Sequence, residues 1–249
     1  MKKAGMFLAI ALVSIGCLFA GGTKEAKNGY VFAADATWPP LEFVDNGTLT
    51  GFEVELMPLI GEKVGVPMTV KNIPWDTIFA GLANGAYDGV SSGVTVTEER
   101  KNSMDFSTPI LQAGQVVIIR TTDKSTVKGI ENLTGKKIGV QIGTTGDFAL
   151  ENYQVTKKVY DDIGLAIEDL LNGNLDAAVC DSLIASDFVL ANANYSSKLT
   201  VAGEPFTQED IAIAVKKGNT ELLNLVNKGL QMMKDDGSFD ALKQKWNLL

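Results

Sequence analysis

The chain has 249 residues, 45% of them hydrophobic, and carries 22 basic against 30 acidic side chains, a net charge of −8. That length accommodates one large core or two lobes of about 100 residues each, and the acidic balance argues against nucleic acid or anionic lipid as the partner. There is no histidine. Ser–His–Asp triads, Cys–His pairs and His-ligated metal sites are therefore excluded, and the sequence calls for no metal and no cofactor.

Residues 1–28 read as a signal and tether. Lys2 and Lys3 precede an apolar run from Met6 to Ala20, and the polar stretch Thr23-Lys24-Glu25-Ala26-Lys27-Asn28-Gly29 follows. About 15 apolar residues is short for a membrane span and suits a secretory signal, so the protein is expected in the periplasm or cell envelope. Cys17 follows Ile15-Gly16 as in a bacterial lipoprotein processing site, although Ser14 stands where that pattern usually has Leu. Lipid attachment at Cys17 is the expectation, and cleavage after Ala20 the alternative. Cleavage before Cys17 removes two lysines and no acids, changing the balance to 20 − 30 = −10. Cys180, the one other cysteine, lies in an apolar run and reads as a small buried hydrophobe.

Beyond the tether, Tyr30 to Ala34 is a short buried strand, and Asp35-Ala36-Thr37-Trp38-Pro39-Pro40 a rigid loop at its end. Leu41 to Val44 is a strand, with a turn at Asp45-Asn46-Gly47. Val54, Leu56, Met57, Ile60 and Val64 recur at helical spacing and stop at Gly65, with Pro67 beyond, predicting a helix over 53–64. Met68 to Ile73 is the next strand, and Pro74-Trp75-Asp76 opens a helix closed by Asn84-Gly85. Asp88-Gly89-Val90 is a further short strand. Strand, helix, strand, helix predicts a parallel α/β lobe.

Val116 to Ile119 is an apolar strand leaving that lobe, and the plan then repeats. Lys136 to Ile142 reads as a strand, Gly143-Thr144-Thr145-Gly146 as a loop, and 147–153 as a helix. Leu82-Ala83-Asn84-Gly85-Ala86-Tyr87-Asp88 in the first half parallels Leu171-Asn172-Gly173-Asn174-Leu175-Asp176 in the second. Ile211 to Val215 is another strand, after which the stripes Leu222, Leu223, Val226, Leu230 and Phe239, Leu242, Trp246 predict two helices that return to complete the first lobe.

The stretch Ser91-Ser92-Gly93-Val94-Thr95-Val96-Thr97-Glu98-Glu99-Arg100 carries the strongest chemical signal. A cation in the first turn of a helix costs about 0.3–1 kcal/mol unless an anion binds there, and a guanidinium with free amides makes a carboxylate or phosphate site. Ligands of open α/β sheets sit at the carboxyl ends of the strands. Four such ends carry polar or aromatic groups: Asp35 with Trp38, Ser91 to Thr95 leading to Arg100, Gln141 to Thr145, and Asp181. Arg100 and Asp181 give one fixed charge of each sign, which complements an α-amino acid zwitterion. Each also has a plainer role: Asp181 suits the cap of a helix at Ser182, the Gly-Thr-Thr-Gly loop suits a turn, and Trp38 and Trp75 suit a core.

With these residues in place, the chain resembles the family 3 bacterial extracellular solute-binding proteins, the amino-acid receptors of ABC importers, from about Tyr30 to Trp246. Gly93-Val94-Thr95-Val96-Thr97-Glu98-Glu99-Arg100 with Asp105-Phe106-Ser107 carries the resemblance. It implies an α/β, two-lobe periplasmic-binding-protein fold of type II, each lobe a mostly parallel sheet flanked by helices. Lobe 1 would comprise 29–109 and 212–249, and 110–211 would hold lobe 2 with hinge crossings near Ile110–Gly114 and Thr207–Ile211. The resemblance also implies Arg100 on the ligand carboxylate, with Thr95 and amides near Thr144 and Thr145, and Asp181, Ser92 and Gly93 on the ammonium. Trp38 and Trp75 would sandwich the ligand side chain and Asp35 would meet its far end; Gln141 and Cys180 stand where some glutamine receptors have basic groups. The implied partners are a free L-amino acid of glutamine, arginine, lysine or histidine type, an ABC permease in the inner membrane, and the membrane through the lipid anchor. The protein is expected to be monomeric, to bind no nucleic acid and to perform no chemistry; an exported dehydratase-like enzyme on the same scaffold is the alternative.

Overall fold

The computed structural model describes residues 28–248; the signal segment and the lipid attachment at Cys17 expected from the sequence fall outside the described residues. β1 (Tyr30–Ala34) leads into β2 (Thr37–Trp38), β3 (Glu42–Asp45) and β4 (Thr48–Thr50), which pair as a small antiparallel sheet. α1 (Phe52–Val64) stops where Gly65 turns left-handed at φ 73° and its amide closes onto the Gly61 carbonyl. β5 (Met68–Asn72) follows, then α2 (Trp75–Asn84), which Gly85 ends in the same way at φ 75°. β6 (Gly89–Val90), α3 (Glu98–Lys101) and β7 (Met104–Phe106) complete the first run.

β8 (Leu111–Ala113) and β9 (Gln115–Arg120) carry the chain into a second sheet built with β10 (Lys137–Gln141), α4 (Thr145–Ala149), β11 (Thr156–Tyr160), α5 (Ile163–Leu171), β12 (Ala177–Asp181), α6 (Ser182–Ile184) and β13 (Leu199–Ala202). β14 (Glu209–Ile211) crosses back, and β15 (Ala214–Lys216), α7 (Thr220–Asp235) and α8 (Ser238–Lys245) finish the fold.

The first sheet has the order β5-β1-β6-β15-β7, the second β11-β10-β12-β9-β13, and β8 pairs with β14 as a two-stranded ribbon between them. Each sheet is more mixed than a mostly parallel one. β1 runs parallel to β5 and β6, and β10 parallel to β11 and β12. The strands at the crossings, β15 and β9, enter from the opposite end and are antiparallel to both neighbours.

Both sheets are covered on two faces, which is why their strands read as unbroken apolar runs. In β9, Val116 and Ile118 pack with α5 residues Ile163, Ile167 and Leu170, while Val117 and Ile119 pack with Ile138, Val140 and Leu133 on the other face. In β1, Phe32 joins Leu56, Ile60, Val226 and Leu230 of α1 and α7, and Ala33 joins Ile78 and Leu82 of α2. Cys180 is buried and unpaired, as its apolar run predicts.

Two helices are shorter than their sequence signals. α3 is one turn long, because the amide of Ser103 closes onto Arg100 and the chain leaves directly into β7. The helix-dipole argument about Arg100 loses most of its force in so short a segment. The helix expected over 147–153 starts earlier, at Thr145, and tightens after Ala149 into a single 3-10 turn over Leu150–Asn152.

Candidate ligand-binding site

The carboxyl ends of β1, β5 and β6 face those of β10, β11 and β12, and several of the named polar groups meet between them. From the first sheet come Asp35, Trp38, Trp75, Ser92, Gly93, Thr95 and Arg100; from the second come Gln141, Thr144, Thr145 and Asp181. Direct bonds bridge the two groups. The Trp38 indole N–H donates to Gln141 Oε1 at 2.6 Å, and Gln141 Nε2 donates to Asp35 Oδ2 at 3.3 Å. Arg100 Nη2 donates to the Gly143 carbonyl at 3.2 Å, and the hydroxyls of Thr95 and Thr145 lie 3.4 Å apart.

Arg100 is buried. Its amide is capped by the Thr97 hydroxyl, its Nη1 donates to the Thr95 carbonyl at 3.0 Å, and its guanidinium carbon lies 5.6 Å from the Trp75 ring and 5.1 Å from the Phe79 ring. Backbone carbonyls and aromatic faces hold the side chain in place, and among the described residues no carboxylate forms an ion pair with it. Burial lowers its pKa to about 10, partly offset by Glu209 and Glu99. A cation so placed is an incomplete pair, and an anion in the cleft would complete it.

Asp181 ends β12 and caps α6, its Oδ1 accepting from the Leu183 amide at 2.9 Å. The plainer role is therefore real, and it uses one oxygen of the two. Burial raises the carboxyl to about 7, the Leu183 amide lowers it, and Glu209 raises it further. Asp35 is raised to about 6, first by burial.

Other predicted residues have their hydroxyls engaged. Thr144 caps α4 through the Asp147 amide and donates to the Gln141 carbonyl. Thr95 and Thr145 both donate to Glu209 Oε2, at 2.8 and 2.7 Å, and Thr207 donates to Glu209 Oε1 at 2.7 Å. Ser92 donates to Glu42 Oε1. Trp38 and Trp75 stack with centroids 6.0 Å apart and planes 16° from parallel.

Glu42, Glu53 and Glu209 were not singled out from the sequence, and all three are buried here. Glu42 sits in a strand whose neighbours Leu41 and Phe43 are apolar, which is the one signal that could have found it. Glu53 looks like an ordinary first-turn acid of α1, and Glu209 like loop charge before Ile211.

A model of the bacterial extracellular solute-binding proteins, family 3, matches residues 30–248. The chain belongs to this family. The L-cystine-binding protein TcyJ of Escherichia coli (strain K12) is 37% identical over 215 residues, covering 85% of this chain and 80% of that protein. Ancestral arginine-binding proteins solved with arginine and with glutamine are each 38% identical, with a TM-score of 0.83, over 88% and 89% of this chain and 98% of theirs. The ancestral amino acid-binding protein AncCDT-1, a precursor of cyclohexadienyl dehydratase, is 33% identical with a TM-score of 0.81, covering 88% of this chain and 95% of that one. These solved relatives share the two-lobe architecture, and the bonds described above run between residues at the ends of the two sheets.

Proposed function

We propose that this solute-binding protein captures a polar or basic L-amino acid between its lobes and delivers it to an ABC permease, without performing chemistry. The observation that carries the reading is a buried, carboxylate-free Arg100 that reaches the Gly143 carbonyl beyond β10, together with a buried Asp181 at the end of β12 that uses one oxygen to cap α6. A zwitterion complements that pair; a lone phosphate would be repelled by Asp181.

Lobe 1 is taken as 29–109 with 212–249, lobe 2 lies within 110–211, and the β8–β14 ribbon is the hinge. The ligand side chain would lie against Trp38 and Trp75. Van der Waals contact of about 3.5 Å on each side requires the ring planes to stand about 7 Å apart where a flat guanidinium or amide enters between them. Asp35 and Gln141 then offer a charge and an amide to its far end. Lipid attachment at Cys17 would hold the receptor at the membrane, as a monomer beside the permease. Relatives that bind cystine, arginine or glutamine support an amino-acid ligand with a polar side chain.

The likeness to a precursor of a dehydratase supports one second reading, an exported enzyme using a protonated acid of the cleft. Thermal unfolding of the refolded, ligand-stripped protein against the twenty L-amino acids, L-cystine and prephenate separates the two. A ligand at about a thousand times its Kd adds roughly 4 kcal/mol of stability and shifts the midpoint by about 8–16 °C. The receptor reading expects that shift with a few polar or basic amino acids; no shift with any amino acid, together with turnover of prephenate, would establish the enzyme.

A further inference from the structure

Residues 91–93 form the loop that leaves β6 and carries Ser92 and Gly93, and three of its polar hydrogens go to just two side chains. The Ser91 hydroxyl donates to Glu53 Oε2 at 2.5 Å, and the Gly93 amide donates to Glu53 Oε1 at 2.7 Å. The Ser92 hydroxyl donates to Glu42 Oε1 at 2.8 Å while its oxygen accepts the Asp35 amide at 2.9 Å. Both glutamates are 0% exposed. One comes from β3 and the other from the first turn of α1, so two elements converge on a single tripeptide.

We infer that Glu42 and Glu53 are positioning residues for ligand recognition, holding residues 91–93 in the one conformation that presents the α-ammonium subsite. The inference rests on the reading above, in which Asp181, Ser92 and Gly93 receive the ammonium. Gly93 has φ +55°, a left-handed conformation, and a Cβ there would come within 3.2 Å of the Trp38 ring. Glu53 fixes the amide of this residue, and with it the plane of the peptide lying on Trp38. Through Ser92, Glu42 also fixes the backbone of Asp35. The same two carboxylates therefore set the loop, the aromatic wall and the acid at the far end of the cleft.

Stability alone is a poor explanation for this arrangement. Burying two carboxylates side by side is costly, and apolar groups of the same shape often stabilise a fold as well or better. Burial pushes both carboxyls up, Glu53 to about 7 against the lowering pull of Ser91 and Gly93, and for Glu42 the neighbouring Glu53 adds to the rise. Glu42 Oε2 is moreover buried without a hydrogen-bond partner, a cost that a purely structural network has no reason to carry.

The test uses calorimetric titration with two ligand pairs, L-arginine with desaminoarginine and L-glutamine with glutaramate, each differing only in the α-amino group. Glu53→Ala is expected to weaken the amino acid by about tenfold or more and its desamino partner by less than about threefold. Glu53→Gln keeps an acceptor for the Gly93 amide and should restore affinity to within about threefold of the parent. Where Glu53→Ala does not fold, Ser91→Ala removes one donor to Glu53 and should show the same selectivity at about threefold. Equal losses for both members of a pair, or parental affinity in the alanine variant, would overturn the positioning role while leaving the receptor reading intact. If the parent prefers another polar or basic amino acid, that molecule and its desamino form replace these pairs; if it binds none of them, the reading of the cleft itself falls, and this inference with it.

Discussion

Replacing Arg100 with alanine is expected to lower amino-acid affinity by on the order of a hundred- to a thousand-fold or more, about 3–5 kcal/mol. The size follows from burial. The guanidinium is held by the carbonyls of Thr95 and Gly143 and by two aromatic faces, so little of its binding role is shared with solvent. Without it, a ligand carboxylate would be left desolvated beside Glu209, a group of its own sign bound to Thr95 and Thr145. Arg100→Lys keeps the charge but loses the planar fork that reaches two acceptors, so an intermediate loss is expected. Isothermal titration measures both, and near-normal affinity in Arg100→Ala would remove Arg100 from the site.

The second large effect is on pH. Asp181 must be ionised to hold an ammonium, and burial has raised its carboxyl to about 7. Raising a carboxyl means that protons compete with the ligand below that value, while the ligand ammonium itself stays charged across the acidic side. Affinity should therefore be greatest at about pH 7–8 and fall by about tenfold per unit below about 7, reaching roughly a hundredfold by pH 5. Asp35, raised to about 6, steepens the loss for a cationic side chain. Asp181→Asn should bind weakly at all pH values and lose most of this dependence; an unchanged slope in that variant would assign the proton to another group.

Much of the fold was legible because its strands and helices announce themselves separately. The run Val116 to Ile119 and the Gly65 and Gly85 helix stops are local signals, and the structure places a strand and two helix ends there. Antiparallel placement of β9 and β15 was not legible, since direction within a sheet depends on where the chain crosses and on no residue of the strand. The candidate site was legible as residue types at strand ends: Asp35, Trp38 and Gln141 are joined by direct bonds and Arg100 reaches Gly143, while Asp181 is bonded within its own element. Hydrogen-bond partners were not. Glu42, Glu53 and Glu209 lie 50, 38 and 114 residues from the hydroxyls they accept from, Ser92, Ser91 and Thr95, and nothing in their own neighbourhoods reveals those pairings.

The central claim is that the cleft clamps both ends of a zwitterion. Its most direct test is calorimetric titration of the stripped protein with the amino acid giving the largest thermal shift, beside the carboxyl methyl ester and the desamino form of that same molecule. Each derivative retains the side chain and lacks one charge, so each should bind about a hundredfold or more weakly than the parent. If either derivative binds as tightly as the amino acid, Arg100 or Asp181 is not holding that charge, and the zwitterion clamp is wrong.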